Sequence, residues 1–460
     1  MKEKKEGGSY GKMRDYIESH PISLIIIIAA ILYIIWAWMP LGLLHSWNEA
    51  YYLERIAYVA EGGSYLDGIF DNPPLFVYTL SAISKITGVC IAAFRLFIVF
   101  CTLITTYTIY RIGLLIGNKR VGVVSSALYA FFPMTVIFSK IIQIDVFAIM
   151  LITLSFYFAI LGTKKRKWFI PSGIFLGLAA FAKLPMALVI LPIFLYMYYK
   201  KVEIKYFILT IIEPVVVFSP WMIHVLMTKP SFLSSGASSS SNFFGLGSMH
   251  ALSAPFYQLA MISLAILVLV FLLILFFKKR PVSPEEKTIA LFALIYSLFF
   301  VLLPNHEYYL LPVFIPLFIF LGLTYDKKRT KEKRIFVGWA KKTVIAFLIL
   351  SIFFLVAKPI YEVDWQEAGD FVRENYSRNI TIYSTNPRVA GYIIQQEVNW
   401  LKSTSGISTN KTIILFTIYD KLQLSGFNIL QSIEKEFLLL KNFNDKIFVY
   451  GSNDLSGEIQ

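Results

Sequence analysis

Long apolar runs separated by short charged loops dominate this chain. SLIIIIAAILYIIWAWM (residues 23–39) is the first. Runs of about 18 or more such residues are long enough to cross the hydrocarbon core of a bilayer. Eleven stretches answer to that pattern: 22–40, 91–116, 121–138, 144–162, 168–181, 184–199, 206–226, 255–277, 288–303, 308–324 and 340–357. The segments 168–181 and 288–303 are the short ones. The stretch 74–88 is apolar but short and contains Lys85, which suits a helix lying at the membrane surface. With 57% hydrophobic residues and a mean hydropathy of +0.64, the chain is predicted to be an α-helical polytopic membrane protein.

The net charge of +14 is topological rather than a sign of nucleic-acid binding. Lys and Arg crowd alternate loops: the N-terminus, 111–120, 164–167, 200–205, 278–287 and 327–342 hold 27 of them. The opposite loops and helix ends hold six, Arg55, Lys85, Arg95, Lys140, Lys183 and Lys229. Basic residues mark the cytoplasmic side, so residues 1–21 are predicted cytoplasmic and the other set of loops extracytoplasmic. The first run is too long for a signal peptide, and no small-residue cleavage site follows, so it is read as an anchor. The two cysteines, Cys90 and Cys101, do not make a disulfide framework.

Between 22 and 358, the predicted membrane part, two outer loops stand out. In 41–90, a helical stretch WNEAYYLERIAYVAE is stopped by Gly62-Gly63, and Pro73-Pro74 starts the surface helix. In 227–254, SSGASSSSNFFGLGS has the composition of a mobile loop. From 359 to 460, β-like runs (NITIYST, KTIILFTIY, DKIFVYG) alternate with helix-like ones (DWQEAGDFVREN, RVAGYIIQQEV, ILQSIEKEFLLLK). That alternation predicts a small extracytoplasmic α/β domain.

Acidic residues are scarce in the membrane part, so their positions carry information. Glu49 and Glu54 follow the first run, Asp145 starts the fourth, and Glu307 starts the tenth, all at the predicted outer face. Lys85, Arg95, Lys140, Lys183 and His306 lie at the same level. Cations there could hold a phosphorylated headgroup while a carboxylate activates a nucleophile. The plainer reading is that charges at helix ends meet water; Asp145 and Lys183 resist it, because apolar sequence surrounds both. Glu213 lies near mid-membrane, where an ionisable group is expensive, but Pro214 follows it, so the pair is read as marking a local helix break. His224 and His250 fall in no metal-ligand spacing, and neither HxxxH nor CxxC occurs. The tail has no Gly-rich phosphate loop and no nucleophile elbow, and is read as accessory.

WNEAYYLERIAYVAEGG, DNPPLFVYTLSAISKITG, Arg95, IIQIDVF, AFAKLPMAL and HEYYLLPVFIP follow one another over roughly residues 20–325. In order and spacing they resemble the polyprenyl-phosphate-dependent glycosyltransferases of the C-type membrane fold, the group that includes the protein O-mannosyltransferases and the aminoarabinose transferases of lipid A. The resemblance implies transfer of a sugar from a polyprenyl phosphate to an acceptor hydroxyl, with inversion, at the extracytoplasmic face of the cell membrane. It implies no cofactor, and its partners are the lipid-linked donor, membrane lipid and an acceptor. Glu49 and Asp145 are the implied catalytic residues. Arg95, Lys183, Tyr308 and Lys85 would bind the donor phosphate; Asn48, Tyr52, His306 and Glu307 would contact substrate. Tyr51, Tyr52 and Tyr58 are expected at headgroup depth.

The family opens this loop with Asp-Glu, and the Asp is its usual general base; here the pair is Asn48-Glu49, and an amide accepts no proton at neutral pH. Either Glu49 serves, or Asp145 does, or transfer has been lost and the chain acts as a scaffold. The family's lysine before the proline step is here Asn72. A lipid or solute transporter is the rival from another class, and it would need polar residues at several depths along a path.

Overall fold

In a computed structural model of the chain, the described residues are 21–38, 47–67, 72–228, 283–302, 310–326, 345–346, 349, 362–376, 380–384, 398–400, 411–417, 433–443, 447–452 and 455. The apolar runs fold as helices: α1 (Pro21–Trp38), α4 (Ile91–Ile116), α7 (Ile144–Lys164), α8 (Phe169–Ala182), α10 (Ile204–Thr228), α11 (Pro284–Leu302) and α12 (Leu311–Asp326). Among the described residues α4, α7 and α10 are long and apolar enough to cross a membrane by length and composition; α1 and α12 carry shorter apolar stretches. The expected crossing 255–277, most of 340–357 and the 229–254 part of the second outer loop lie outside the described residues.

Proline decides two departures from the expected spans. The run 121–138 is split into α5 (Lys119–Phe131) and α6 (Pro133–Phe138), with Phe132 extended at φ −65°, ψ 130°. Pro133 has no N–H to continue the first helix, but its fixed φ suits the first position of the next. The run 184–199 likewise opens as a 3₁₀ turn, Leu184–Val189, containing Pro185, before α9 (Ile190–Tyr199). At Pro214 the expectation fails the other way: α10 runs unbroken through both Pro214 and Pro220.

α7 is the centre of the bundle, buried along most of its length, whereas α10 lies at the edge with Ile208, Ile211, Val215 and Ile223 exposed. Two devices join α7, α8 and α10. Ser155 and Ser172 each donate a hydroxyl to the other's carbonyl at 2.9 Å. Gly173 and Gly177, four apart on α8, let α10 approach so closely that a Cβ at Gly177 would stand 2.8 Å from the Pro214 backbone. Small residues and hydroxyls are what bring helices together where lipid and side chain are equally apolar.

The segment predicted to lie outside forms a helix pair, α2 (Trp47–Ala60) and α3 (Leu75–Thr87). α2 ends as expected at the two glycines. Gly62 takes φ +99°, Gly63 N–H donates to the Tyr58 carbonyl and Gly62 N–H to Val59, the hydrogen-bond pair of a Schellman stop. A side chain at Gly63 would strike the Tyr58 ring. Ser81 donates to the Ile56 carbonyl at 3.0 Å, and Tyr52 packs edge-on against Phe76, which in turn meets Phe147 of α7. Tyr51 and Tyr52, expected at headgroup depth, are therefore buried in this packing, and Tyr58 is exposed.

In the tail, α13 (Glu362–Asn375) accompanies a sheet of order β2-β1-β3-β5-β4, formed by β1 (Thr381–Ser384), β2 (Asn399–Trp400), β3 (Thr412–Thr417), β4 (Leu438–Phe443) and β5 (Ile447–Gly451). β1 is parallel to β2 and β3; β5 is antiparallel to β3 and β4. Ile413, Leu415 and Val449 face the side of Ala368 and Val372, while Ile414, Phe448 and Tyr450 face Ile433 and Phe437. Burial of β3 and β5 on both faces explains why they read as continuous apolar runs rather than alternating ones. The expected helix ILQSIEKEFLLLK is a correction. Among its described residues 433–436 is helical, and LLLK enters β4 with a register shift between Leu439 and Lys441. The RVAGYIIQQE part of the other helix-like run lies outside the described residues.

Candidate active site

Four charges from four helices are buried together around the start of α7. Glu49 lies in the first turn of α2 and Asp145 in the first turn of α7, positions where a carboxylate complements the helix dipole. Arg95 stands one turn into α4, and Lys183 is the residue that ends α8. Lys183 Nζ lies 2.6 Å from Asp145 Oδ1, and both side chains are almost wholly buried. Arg95 Nη2 lies 3.6 Å from Glu49 Oε1, and the Ile142 N–H donates to the same oxygen at 3.2 Å. Buried charges of this kind persist only when paired and hydrogen-bonded, because the desolvation cost of a lone ion is several kcal/mol.

The local backbone makes these contacts possible. After α6 the chain turns sharply: Gln143 N–H donates to the Ile141 carbonyl at 2.8 Å, an i to i+2 bond. That turn leaves the Ile142 N–H directed at Glu49, three residues before Asp145. Lys183 is extended (φ −146°, ψ 110°), with its N–H still bound to Ala179 at 2.8 Å. The following 3₁₀ turn is braced from α11, where buried Tyr296 donates its hydroxyl to the Met186 carbonyl at 2.9 Å. A third cation, Lys140, is buried with its Nζ 3.8 Å over the Trp36 ring of α1, the geometry of a cation–π contact.

The structure thus gathers Glu49, Arg95, Asp145 and Lys183 and gives each a partner. Tyr52 is beside them as a packing residue against Phe76. Lys85 is not brought in: it is exposed in the last turn of α3 and touches neither carboxylate. Asn48 is placed on α2 next to Glu49, but its side chain, like His306, Glu307 and Tyr308, lies outside the described residues. Glu213 stands apart, against Gly173 of α8. Sequence reasoning passed over Trp36, the Ile142 N–H and Gln143. The one signal that could have drawn attention to them is the polar spacing within SKIIQID, four polar side chains in an otherwise apolar stretch. Among the described residues no group of three His, Cys, Asp or Glu could hold a metal ion.

The described fold is a helical bundle with a helix pair against the start of α7 and buried carboxylate–cation pairs at that end. Residues 71–224 match the family model of the dolichyl-phosphate-mannose-protein mannosyltransferases, a span that includes Arg95, Asp145 and Lys183 but not Glu49. Among solved structures the chain is similar to ArnT from Cupriavidus metallidurans in the apo state, with a TM-score of 0.61 at 12% identity over 95% of this chain and 99% of that one. The same protein bound to undecaprenyl phosphate gives 0.60 at 12% identity over 94% and 98%. The archaeal oligosaccharyltransferase AglB from Archaeoglobus fulgidus, in complex with an inhibitory peptide and a dolichol-phosphate, gives 0.59 at 11% identity over 95% of this chain and 75% of that one. No curated protein sequence matches the chain. The resemblance read from the sequence is supported by the family match over 71–224, and the fold is shared with ArnT and AglB.

Proposed function

We propose that this protein is a membrane glycosyltransferase that moves a hexose or pentose from a polyprenyl phosphate to an acceptor hydroxyl at the extracytoplasmic face. The reading rests above all on the two buried pairs, Glu49–Arg95 and Asp145–Lys183, brought to one place by the 142–145 segment. The fold shared with ArnT bound to undecaprenyl phosphate and with AglB bound to a dolichol-phosphate supports the donor class. So does the family match over 71–224.

The two carboxylates take different parts. Asp145 is in the tighter contact, a charge-assisted hydrogen bond at 2.6 Å that orients Lys183. Glu49 is held more loosely at 3.6 Å from Arg95, and is the general base. Glu49 takes the proton of the acceptor hydroxyl as its oxygen forms a bond to the anomeric carbon from the face opposite the lipid phosphate. The bond between that carbon and the phosphate oxygen breaks, the configuration inverts, and the electron pair leaves with the lipid phosphate. Arg95 and Lys183 take up the charge growing there. The sugar arrives already activated on its phosphate, so the reaction draws on no nucleotide. By charge asymmetry residues 1–21 are cytoplasmic, and the domain over 359–460 is extracytoplasmic and accessory.

Asn48 favours one other reading, a chain that has lost transfer and acts as a scaffold, since an amide stands where the family's base is an acid. The test is purified protein in lipid nanodiscs with a panel of radiolabelled polyprenyl-phosphate sugars and membrane acceptors. Label transfer from one of them, lost in Glu49→Gln, is the expected result; binding without transfer across the panel would favour the scaffold.

A further inference from the structure

Gln143 is a buried polar side chain in this region whose amide nitrogen meets no acceptor among the described residues. It precedes the first residue of α7, between the Ile142 N–H that binds Glu49 and the Asp145 carboxylate that binds Lys183. The residue is 1% exposed, yet its Nε2 has no acceptor among the described residues. A primary amide carries two N–H donors. Burying such a group unsatisfied costs about 1–3 kcal/mol, and native proteins rarely carry that cost without a use for it. Glu49 Oε1 is occupied by Ile142 and Arg95, and Asp145 Oδ1 by Lys183. Neither of these oxygens accepts from the amide, and in sequence Gln143 stands between the residue that binds Glu49, Arg95's partner, and the residue that binds Lys183. An anionic oxygen of a bound ligand suits an amide donor placed near a guanidinium and an ammonium.

We infer that the Gln143 amide donates to a phosphate oxygen of the lipid-linked donor, completing between Arg95 and Lys183 the site that holds the phosphate. The inference rests on the transferase reading and deepens it. Gln143 is a binding residue in this scheme: it takes no proton. Because the amide meets no acceptor among the described residues, the empty protein should be less stable than it would be with an apolar side chain at 143. Removing the amide should therefore raise stability and lower affinity together, a combination that a structural glutamine would not give.

The experiment compares the natural protein with Gln143→Met and Gln143→Glu in nanodiscs, using undecaprenyl phosphate, undecaprenol and inorganic phosphate as probes. Gln143→Met should raise the thermal midpoint of the empty protein by about 2 °C. It should weaken undecaprenyl phosphate by about tenfold or more and leave undecaprenol unchanged. Gln143→Glu keeps the shape, loses the donors and adds negative charge, so it should weaken undecaprenyl phosphate further. A lower midpoint with unchanged affinity would overturn the assignment. So would equal losses for undecaprenyl phosphate and undecaprenol, or tight saturable binding of inorganic phosphate lost in the same variants, which would make the site one for a free anion. If the natural protein prefers undecaprenyl phosphate over undecaprenol by no margin, the transferase reading fails and Gln143 with it. Failure confined to the variants would overturn the Gln143 assignment alone.

Discussion

Lys183 and Asp145, 38 residues apart in sequence, meet at 2.6 Å inside the bundle with both side chains buried. The contact ties the end of α8 to the start of α7 and fixes where the Lys183 ammonium lies. Removing one partner leaves a buried charge uncompensated, which costs about 3–5 kcal/mol. Asp145→Leu and Lys183→Met, made singly, should each lower the thermal midpoint sharply. The double variant should recover most of the stability, because two apolar side chains replace two desolvated ions, and should remain inactive. A double-mutant cycle on midpoints and sugar transfer measures both; full activity in the double variant would remove Lys183 from donor binding.

The division of labour between the carboxylates can be separated by amide substitution. Glu49→Gln preserves size and hydrogen-bonding shape but accepts no proton, so transfer should fall by about 10² to 10⁴ with donor binding retained. Asp145→Asn should instead weaken donor binding, because Lys183 loses the charge that orients it. Single-turnover transfer and donor titration on the two variants check this. If Asp145→Asn binds donor normally and is inactive while Glu49→Gln turns over, Asp145 is the base. Asn48→Asp places the family's usual acid beside Glu49; faster transfer in that variant would show that the natural chain works with an impaired site.

Topology follows from the distribution of Lys and Arg and is checked without activity. In a background with Cys90 and Cys101 changed to serine, a cysteine at Ser239 should react with a membrane-impermeant thiol reagent on intact cells. A cysteine at Thr330 should not. The reverse pattern would place Glu49 and Asp145 on the cytoplasmic side.

The approach of α8 to α10 gives a graded stability test. At Gly173 an added methyl would meet the Glu213 side chain, whose carboxylate end can swing away but whose Cβ, at 2.7 Å, cannot, so Gly173→Ala should be destabilising, though no backbone atom of α10 stands as close. At Gly177 the methyl would stand 2.8 Å from the Pro214 Cα and 2.7 Å from the Val217 Cβ, neither of which can move without the helix. Gly177→Ala should cost about 1–3 kcal/mol, typical of overpacking. Thermal midpoints of the two variants side by side decide it, and near-neutral effects at both would mean that α10 is free to shift.

Much of this was legible in the sequence because membrane helices report themselves by length and composition, which need no knowledge of neighbours. The same holds for the stop at Gly62-Gly63, where positive φ demands glycine, and for the gathering of Glu49, Arg95, Asp145 and Lys183 at the ends of apolar runs. Local sequence did not decide what Pro133 and Pro214 do. One splits a helix and the other does not, since α10 keeps its course where it packs against Gly173 and Gly177. The helical look of LLLK in the tail was overridden by pairing of β4 with β5. Least legible of all were the partners: that Glu49 binds the Ile142 N–H 93 residues away, and that Gln143 is buried with no acceptor for its Nε2 among the described residues. Such contacts depend on how helices distant in sequence are set against each other. Hydropathy and periodicity mark which face of each helix is apolar, whereas only the packed structure determines which charge stands opposite which.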